Sequence, residues 1–448
     1  MEEFINYGEK RGCSYVELKS YSGSRTCIEL QNENIKEISL GDSMLYSAKV
    51  IFNGSEGLAY SSTEDFKKLI DNALKLAKSM KKETKIERLQ KKKFRVKTKY
   101  KINPMDVDLE EKKKRIAKLD LRKDFKNVNS ISFFYQDSLK RLHILSSEGR
   151  DVVWDDVSVG YMALAHAKDG NRIEQFHDVK RLHKGFELFK EAEETVNNAM
   201  SMAEKMLESK NAVGGNYPVI IDGRLGGVFS HEAVGHGCEA DAVLQGASVM
   251  AGNIGKMLGS TCVNIIDDGT REPLNGWIPF DDEGLESCKT YLVRQGFLEG
   301  YLHTRETAGL MKMNVTGNGR SQSLGNRAIP RMTNTFFDVG DSSFEEMLQT
   351  IKNGYYLKGT LGGQVSPGTG EFLFNAQYGY KIVDGELKEL VKGVSLMGSI
   401  LDTLKNISLV GKDLSFSSGT CGKDGQHVPV GDGAPHIKID SARVGGQE

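Results

Sequence analysis

The sequence is most informative at residues 217–238, which read Tyr217-Pro-Val-Ile-Ile-Asp-Gly-Arg-Leu-Gly-Gly-Val-Phe-Ser-His-Glu-Ala-Val-Gly-His-Gly-Cys238. The apolar run before Asp222 predicts a short strand, and it leads directly into a glycine-rich segment that carries two histidines. Of the 49 glycines in the chain, 39 lie in residues 213–448 and 10 in residues 1–212. Because glycine suits turns and close backbone approaches, we predict that residues 213–448 form a β-rich domain with one central helix.

In the N-terminal half, segments with the two-residue hydrophobic period of strands alternate with segments that have the period of helices. Period-2 segments flank Asn53-Gly54, a strong hairpin signal, and the apolar spacing from Phe66 to Ala77 is helical. Alternating strands and further helices recur in the second part of this half. The order of these elements predicts an α+β region of duplicated character, with subregions of about 1–85 and 103–212.

A basic stretch joins these two subregions. Residues 78–101 hold 12 Lys or Arg against 2 Asp or Glu, and a charge run of this kind predicts a solvated connector. The fold class expected for the chain is therefore α+β. It combines a mixed N-terminal half, residues 1–212, with a β-rich C-terminal domain, residues 213–448, that carries the histidine helix.

The composition is that of a soluble globular protein. The chain has 448 residues, with 60 Lys+Arg against 61 Asp+Glu and a net charge of −1, which excludes a polyelectrolyte that coats nucleic acid. No apolar run is long enough to predict a membrane span, and the acidic N-terminus lacks the features of a signal peptide. The six cysteines include no CxxC pair. We therefore expect a cytoplasmic protein with reduced thiols.

The segment that carries chemistry is His231-Glu-Ala-Val-Gly-His236, an HExxxH pattern. In the shorter HExxH pattern of many zinc peptidases, the two histidines share one helix face and the glutamate acts as base. At about 100° per residue, histidines five residues apart on a regular helix would point about 140° away from each other. Both can face one ion if the helix ends or widens into a π turn near Gly235. We therefore predict an irregular helix at Gly235.

A catalytic zinc takes three protein ligands and keeps one position open, so this site needs a third ligand. The residues open for this role are Cys238, Glu239, Cys421, His427 and His436. Cys238 and Glu239 follow His236 so closely that they would have to fold back on the same turn. Cys421 lies in the polar, glycine-rich segment Ser417–Gln426, which we predict to be a loop, and a core cysteine would find little to pack against there. We therefore favour Cys421.

Five motifs in the same order resemble the TldD/PmbA family of metallopeptidases, and the similarity runs nearly from end to end. They are His231–Asp241, Asn314–Arg320, Arg331–Asn334, Gly362–Gln364 and Gly419–Gln426. The family has a metal-bearing TldD branch and a TldE/PmbA branch without HExxxH, and this chain resembles the TldD branch. Cys238 departs from the family pattern, in which an aliphatic residue is expected.

The resemblance implies a zinc ion held by His231, His236 and Cys421. It also implies that Glu232 is the catalytic carboxylate. The implied reaction is hydrolysis of peptide bonds in unfolded or flexible peptides by zinc-activated water, with Glu232 as the general base.

Assembly and substrate binding are expected along the same lines. The resemblance implies a dimer, either a homodimer or a heterodimer with a TldE/PmbA-like chain. Edge strands in a glycine-rich domain suggest that an extended peptide is held by strand addition. Arg320 and His427 are the candidates for stabilising the oxyanion.

Two other interpretations remain open. The description of this family as gyrase modulators, together with the basic stretch 78–101, would give a non-catalytic regulatory protein linked to nucleic acid, but no recognised nucleic-acid motif supports it. A purely structural metal site would need four ligands, usually rich in cysteine, whereas the implied set has three. The sequence contains no phosphate-binding loop, so nucleotide dependence is not predicted.

Overall fold

The N-terminal half is built on one mixed sheet. A computed structural model of the chain describes residues 1–80 and 83–446. In these residues the sheet consists of β1 (Tyr15–Gln31), β2 (Asn34–Phe52), β3 (Ser55–Ser61), β4 (Lys92–Lys97), β5 (Val128–Ser146), β6 (Arg150–Asp169) and β7 (Arg172–Leu182). The order is β3-β2-β1-β5-β6, and β4 and β7 pair with different parts of β6.

The N-terminal half contains two copies of one unit, in which three consecutive strands have a helix before them and a helix after them. The helices of this half are α1 (Glu2–Lys10), α2 (Phe66–Ser79), α3 (Leu109–Ala117) and α4 (Ala192–Met206), with 3₁₀ turns at Pro104–Asp106, Arg122–Asp124 and Phe186–Glu191. α1 and α2 flank β1 to β3, whereas α3 and α4 flank β5 to β7, and the two copies join where β1 pairs with β5. Asn53 and Gly54 form the β2–β3 turn with φ of 48° and 79°. The predicted duplicated α+β character is confirmed.

The basic stretch 78–101 differs from the solvated connector that its charge predicts. Residues 92–97 form β4, which pairs in parallel with the first part of β6. Its Phe94 ring packs edge-on against Phe280 of the C-terminal half, with ring centroids 5.6 Å apart. The charge of the stretch does not predict this strand, because its lysines point to solvent while Phe94 packs inward. Lys81 and Lys82 lie outside the described residues.

The C-terminal half contains two larger sheets and a two-stranded ribbon. In the described part of the chain its strands are β8 (Lys210–Asn211), β9 (Gly215–Ile221), β10 (Ile265–Asp268), β11 (Lys289–Arg294), β12 (Phe297–Leu298), β13 (Gly319–Arg320), β14 (Ile329–Pro330), β15 (Asn334–Phe337), β16 (Asn353–Lys358), β17 (Gly363–Ser366), β18 (Glu371–Asn375), β19 (Tyr378–Val383), β20 (Glu386–Lys392), β21 (Ser395–Ser399), β22 (Ile407–Val410), β23 (Ser415–Lys423), β24 (Gln426–Ala434) and β25 (Ile437–Gly445). One sheet has the order β12-β11-β10-β15-β24-β23. The other has the order β17-β18-β21-β25-β9-β16-β19-β20-β8, with β22 beside β25, and β13 pairs with β14.

Short helices connect these strands. They are α5 (Gly223–Val228), α6 (Ala240–Leu244), α7 (Arg305–Met311), α8 (Phe344–Gln349) and α9 (Ile400–Asn406). The β-rich character is as predicted, and the domain has further short helices besides the predicted central one. α5 and its continuation do occupy the centre of the C-terminal core, where Leu225, Phe229 and Val234 are buried.

The two halves pack against each other through an apolar cluster and a buried arginine. Trp154 of β6 and Trp277 pack edge to face, with ring centroids 5.5 Å apart. Arg305 of α7 is 1% exposed and donates to the Tyr15 hydroxyl at 2.9 Å and to Glu148 Oε2 at 2.6 Å. A buried arginine needs such partners because an unpaired charge is costly to bury. None of the helices in residues 1–80 and 83–446 combines the length and apolar character of a membrane span.

Candidate metal centre

The helix that carries the two histidines changes its winding along its length. α5 begins at Gly223, where the Asp222 carboxylate accepts a hydrogen bond from the Leu225 amide at 2.9 Å. From Phe229 to Gly235 the backbone is a π-helix, and His236–Cys238 form a 3₁₀ turn. The His236 amide donates to the carbonyl of His231, which is the i+5 to i bond of a π turn. The predicted irregularity is confirmed, and it begins before Gly235.

Glycines allow this helix to pack closely against β24 and Met332. A Cβ on Gly227 would lie 2.7 Å from the Gly433 amide nitrogen of β24, so any side chain would push the helix off the strand. A Cβ on Gly235 would lie 2.0 Å from Met332 Sδ. The close approach therefore fixes the helix against β24 and Met332.

The structure brings together one atom each from His231, His236 and Cys421. These three atoms lie within 4.8 Å of one another. The imidazole rings are perpendicular, with centroids 5.3 Å apart, and Cys421 Sγ lies 3.4 Å from His236 Nε2. Cys421 belongs to β23, paired with Val428 of β24, so the predicted loop at Ser417–Gln426 is wrong and the segment is a hairpin.

The three side chains fit a zinc ion. Tetrahedral zinc with ordinary Zn–N and Zn–S lengths would place a nitrogen and a sulfur ligand about 3.6 Å apart, close to the 3.4 Å between Nε2 and Sγ. His231 is 4% exposed, and its Nδ1 has no hydrogen-bond partner in the described part of the chain. A buried polar atom without a partner is unusual in a protein, and this one belongs to a side chain that a bound cation would stabilise.

Charge within the cluster favours a thiolate. Burial raises the pKa of Cys421. The charge of His231 and hydrogen bonds from both histidines have a larger, opposite effect and lower this pKa to about 4. Burial lowers the pKa of His231, and the Cys421 thiolate outweighs burial and raises this pKa above its ordinary value. Burial also lowers the pKa of His236, but Glu239 and Cys421 outweigh burial and raise this pKa well above its ordinary value. A divalent cation can replace the protons on the imidazoles in such a cluster.

Glu232 lies on the solvent side of the cluster. Its Oε2 is 3.7 Å from His236 Nε2, and its side chain is 32% exposed. The carboxylate can therefore reach a water molecule or a peptide held beside the three ligand atoms without being one of them.

The other residues weighed as third ligands do not join the cluster. Cys238 is buried in the apolar core, and Glu239 contacts His236 Nδ1 at 2.9 Å. His436 Nε2 is hydrogen-bonded to the Tyr356 hydroxyl at 2.6 Å. His427 is exposed. Among the described residues, Cys421 is the one that completes the set.

Arg320 has a structural role. Its guanidinium donates to the backbone carbonyls of Met332 at 2.6 Å and of Pro429 at 2.8 Å. It lines, together with His427 and Trp277, a cavity of about 410 Å³ between the two halves. Because both of its Nη atoms already donate to backbone oxygens, the geometry favours a structural role for Arg320 over an oxyanion role.

A buried aspartate explains two of the sequence motifs. Asp267 of β10 is 1% exposed and accepts hydrogen bonds from Asn318 Nδ2 at 2.8 Å, from Thr333 Oγ1 at 2.7 Å and from Thr335 Oγ1 at 2.8 Å. The Ser230 hydroxyl in turn donates to the Thr335 carbonyl at 3.1 Å. These motif residues therefore hold the strand on which the π-helix rests.

Sequence reasoning missed the charged residues behind the cluster. Lys423 Nζ lies 3.1 Å from Glu239 Oε2, and Arg331 donates to the Cys421 carbonyl at 2.6 Å. Arg331 is completely buried. Both basic residues lie in quoted motifs, and for Lys423 the available signal was a charge within a glycine-rich motif.

Comparisons with known proteins show the family and the fold of the chain. Residues 214–446 match the family model described as the PmbA/TldA metallopeptidase C-terminal domain. A protein of Methanocaldococcus jannaschii named a metalloprotease is 40% identical over 451 residues, which cover 98% of this chain and 97% of that one. A zinc metalloprotease TldD homolog of Saccharolobus solfataricus is 33% identical over 323 residues, 71% of this chain and 72% of that one. A solved structure from Thermotoga maritima, described as a proposed modulator of a DNA gyrase, has a TM-score of 0.84 at 22% identity and covers 99% of both chains.

These relationships define the class of the protein as a metallopeptidase. The likeness to the Thermotoga structure confirms the fold. The chain belongs to the TldD/PmbA family, in its TldD branch, as the motifs predicted.

Proposed function

We propose that this chain is a zinc-dependent peptidase that hydrolyses peptide bonds in unfolded or flexible peptides. The observation that carries the proposal is the convergence of His231, His236 and Cys421 to within 4.8 Å. Two imidazoles and a thiolate suit zinc, and three protein ligands leave one position for the reactants. The name of the Saccharolobus relative supports the choice of zinc.

Proton transfer falls to Glu232. When bound, zinc supplies Lewis acidity, which polarises a peptide carbonyl and makes water more acidic. Glu232 takes a proton from the attacking water on a carboxylate oxygen and then delivers it to the nitrogen of the departing amine. The position of Glu232 beside the ligand atoms, with part of its side chain exposed, supports this role.

An extended peptide is the form of substrate that we propose. β23 carries Cys421 and ends the order of its sheet among the described residues. An edge strand can pair with an added backbone. Because such pairing reads the main chain more than the side chains, it selects flexible peptides more than particular sequences.

Assembly and location extend the proposal. The family suggests a dimer, formed either with a second copy or with a TldE/PmbA-like chain. The cytoplasm is the proposed compartment, and the cysteines support it because all six are free thiols.

The test combines zinc content with cleavage of an unfolded protein. We expect Glu232→Gln to keep its zinc and to lose cleavage, because the carboxylate moves protons and is not a ligand. Glu345→Gln, an exposed glutamate of α8, is the matched control and should behave as the parent protein. Zinc-loaded parent protein that cleaves nothing would contradict the peptidase and favour the regulatory alternative, and full activity of Glu232→Gln would contradict the assigned base.

A further inference from the structure

A buried carboxylate contacts the side of His236 that faces away from Cys421. Glu239 follows the 3₁₀ turn His236–Cys238 and is 1% exposed. Its Oε2 accepts a hydrogen bond from His236 Nδ1 at 2.9 Å. In a neutral imidazole one nitrogen carries the proton and the other carries the lone pair. The bond therefore leaves the lone pair on Nε2, the atom that lies 3.4 Å from Cys421 Sγ.

We infer that Glu239 is a positioning residue, which fixes the tautomer and the ring orientation of His236 for metal binding. The inference rests on the zinc centre proposed above. A histidine ligand whose second nitrogen donates to a carboxylate is held in one orientation and becomes more basic. Glu239 thus acts on the metal through His236 and not as a ligand itself.

Two cations lie beside the Glu239 carboxylate. Lys423 Nζ lies 3.1 Å from Oε2, and Arg331 Nε lies 3.9 Å from Oε1. A carboxylate so deeply buried needs opposite charges around it. Lys423 is itself anchored by Asp241, whose two oxygens lie 2.7 and 2.8 Å from Nζ.

The same cations connect Glu239 to the third ligand. Arg331 donates to the Cys421 carbonyl at 2.6 Å. Lys423 follows Cys421 by two residues on β23, so both side chains point to the same face of the strand. Glu239 therefore joins the end of the histidine helix to the strand that carries the thiolate. One carboxylate orients His236 and also sets its distance from Cys421.

Two conservative variants separate this role from simple charge balance. Glu239→Gln keeps an oxygen that can accept the Nδ1 proton but loses the charge. Glu239→Asp keeps the charge but is one methylene shorter and draws back from His236. If Glu239 orients the imidazole, Glu239→Asp should lose about 10- to 100-fold in zinc affinity, and Glu239→Gln should lose less. If Glu239 only balances Lys423 and Arg331, the order of the two variants is reversed.

Zinc affinity is measured on the full chain by competition with a chelator. A second measurement follows the Nδ1 proton of His236 by NMR in zinc-loaded protein with ¹⁵N-labelled histidine, where the chemical shift and the exchange rate of this proton report its hydrogen bond to residue 239. We expect a hydrogen-bonded, slowly exchanging proton in the parent protein and in Glu239→Gln, and a shifted, faster exchanging proton in Glu239→Asp. Asp241→Asn removes charge from Lys423 without touching His236 and probes the charge around Lys423. The matched control is Glu345→Asp, in an exposed glutamate of α8, and it should keep the parent affinity.

The outcomes are distinct. Equal zinc affinity of Glu239→Asp and Glu239→Gln, or weaker binding by Glu239→Gln, would overturn the positioning role while leaving the zinc centre intact. A parent chain that binds no zinc would overturn the centre itself and the inference with it. Stronger loss in Asp241→Asn than in Glu239→Asp would assign the effect to the charge around Lys423 instead.

Discussion

Replacing Gly235 with alanine should damage both the fold and the metal centre. The added Cβ would lie 2.0 Å from Met332 Sδ and 3.0 Å from Met332 Cγ. Apolar atoms prefer separations of about 3.5–4.0 Å, so the sulfur would have to move by about 1.5–2 Å. Met332 is completely buried, which leaves it little room to do so. Overpacking of this kind costs about 1–3 kcal/mol of unfolding free energy.

The same substitution should weaken zinc binding. Gly235 directly precedes His236, so backbone that shifts to relieve the clash carries the imidazole with it. We expect zinc affinity to fall by about tenfold or more, the range seen when groups that orient ligands are disturbed. Urea unfolding of zinc-stripped protein gives the stability term, and chelator competition gives the affinity.

Gly237→Ala is the matched control for this experiment. Its Cβ would meet Met250 Cγ at 3.1 Å, which a shift of a few tenths of an ångström relieves. The double variant Gly235→Ala with Met332→Ala should cost less than the sum of the single changes, because the new methyl enters the space vacated by the thioether. A Gly235→Ala protein within about 0.5 kcal/mol of the parent, with unchanged zinc affinity, would refute the steric reasoning.

Three further results are expected. Cys421→Ser should lose zinc affinity by more than about 100-fold, since even groups behind the ligands are worth 10- to 100-fold. Cys238→Ala should keep its zinc, because the Cys238 thiol lies in the apolar core. The reverse pattern in a zinc analysis would show that Cys238 is the ligand. Glu232→Gln should lower the rate of peptide cleavage by about 10²- to 10⁴-fold at constant zinc content, and zinc loss in this variant would make the carboxylate a ligand. Burial lowers the pKa of His303 from 6.5 to about 4, so the unfolded chain binds the proton first as pH falls and stability declines between about pH 7 and pH 5. That decline should be about 2 kcal/mol smaller in His303→Gln, and equal declines in urea titrations of the two proteins would contradict it.

The irregular helix was predictable because it follows from spacing alone. Histidines five residues apart cannot face one ion on an α-helix, whatever surrounds them. The place of Cys421 was harder, since polar and glycine residues in Ser417–Gln426 mask the alternation of a strand. Asp424-Gly425 does carry a hairpin signal, and it forms the turn between β23 and β24 with φ of 49° and 71°.

The surroundings of the site could not be predicted from local pattern. Glu239 reaches His236 because a 3₁₀ turn intervenes, and it meets Lys423 and Arg331 only after two distant segments have packed together. β4 shows the same limit, because its partner β6 lies more than fifty residues away. Periodicity indicates which residues can face a core, but it does not indicate which remote charges will meet there.

The π turn between His231 and His236 also constrains how this protein can change in length. Two imidazoles alone do not require it, because a turn with one residue fewer would give the i,i+4 pair of other zinc peptidases. Deleting that residue would therefore restore an α-helical turn and leave His236 on the same side as His231. A residue inserted or deleted elsewhere in the helix would instead rotate the following residues by about 100°. His236 and Glu239 would then both turn away from β23, which carries Cys421 185 residues beyond His236. A change of length outside the π turn is therefore tolerable only with a matching shift in a hairpin almost at the other end of the chain.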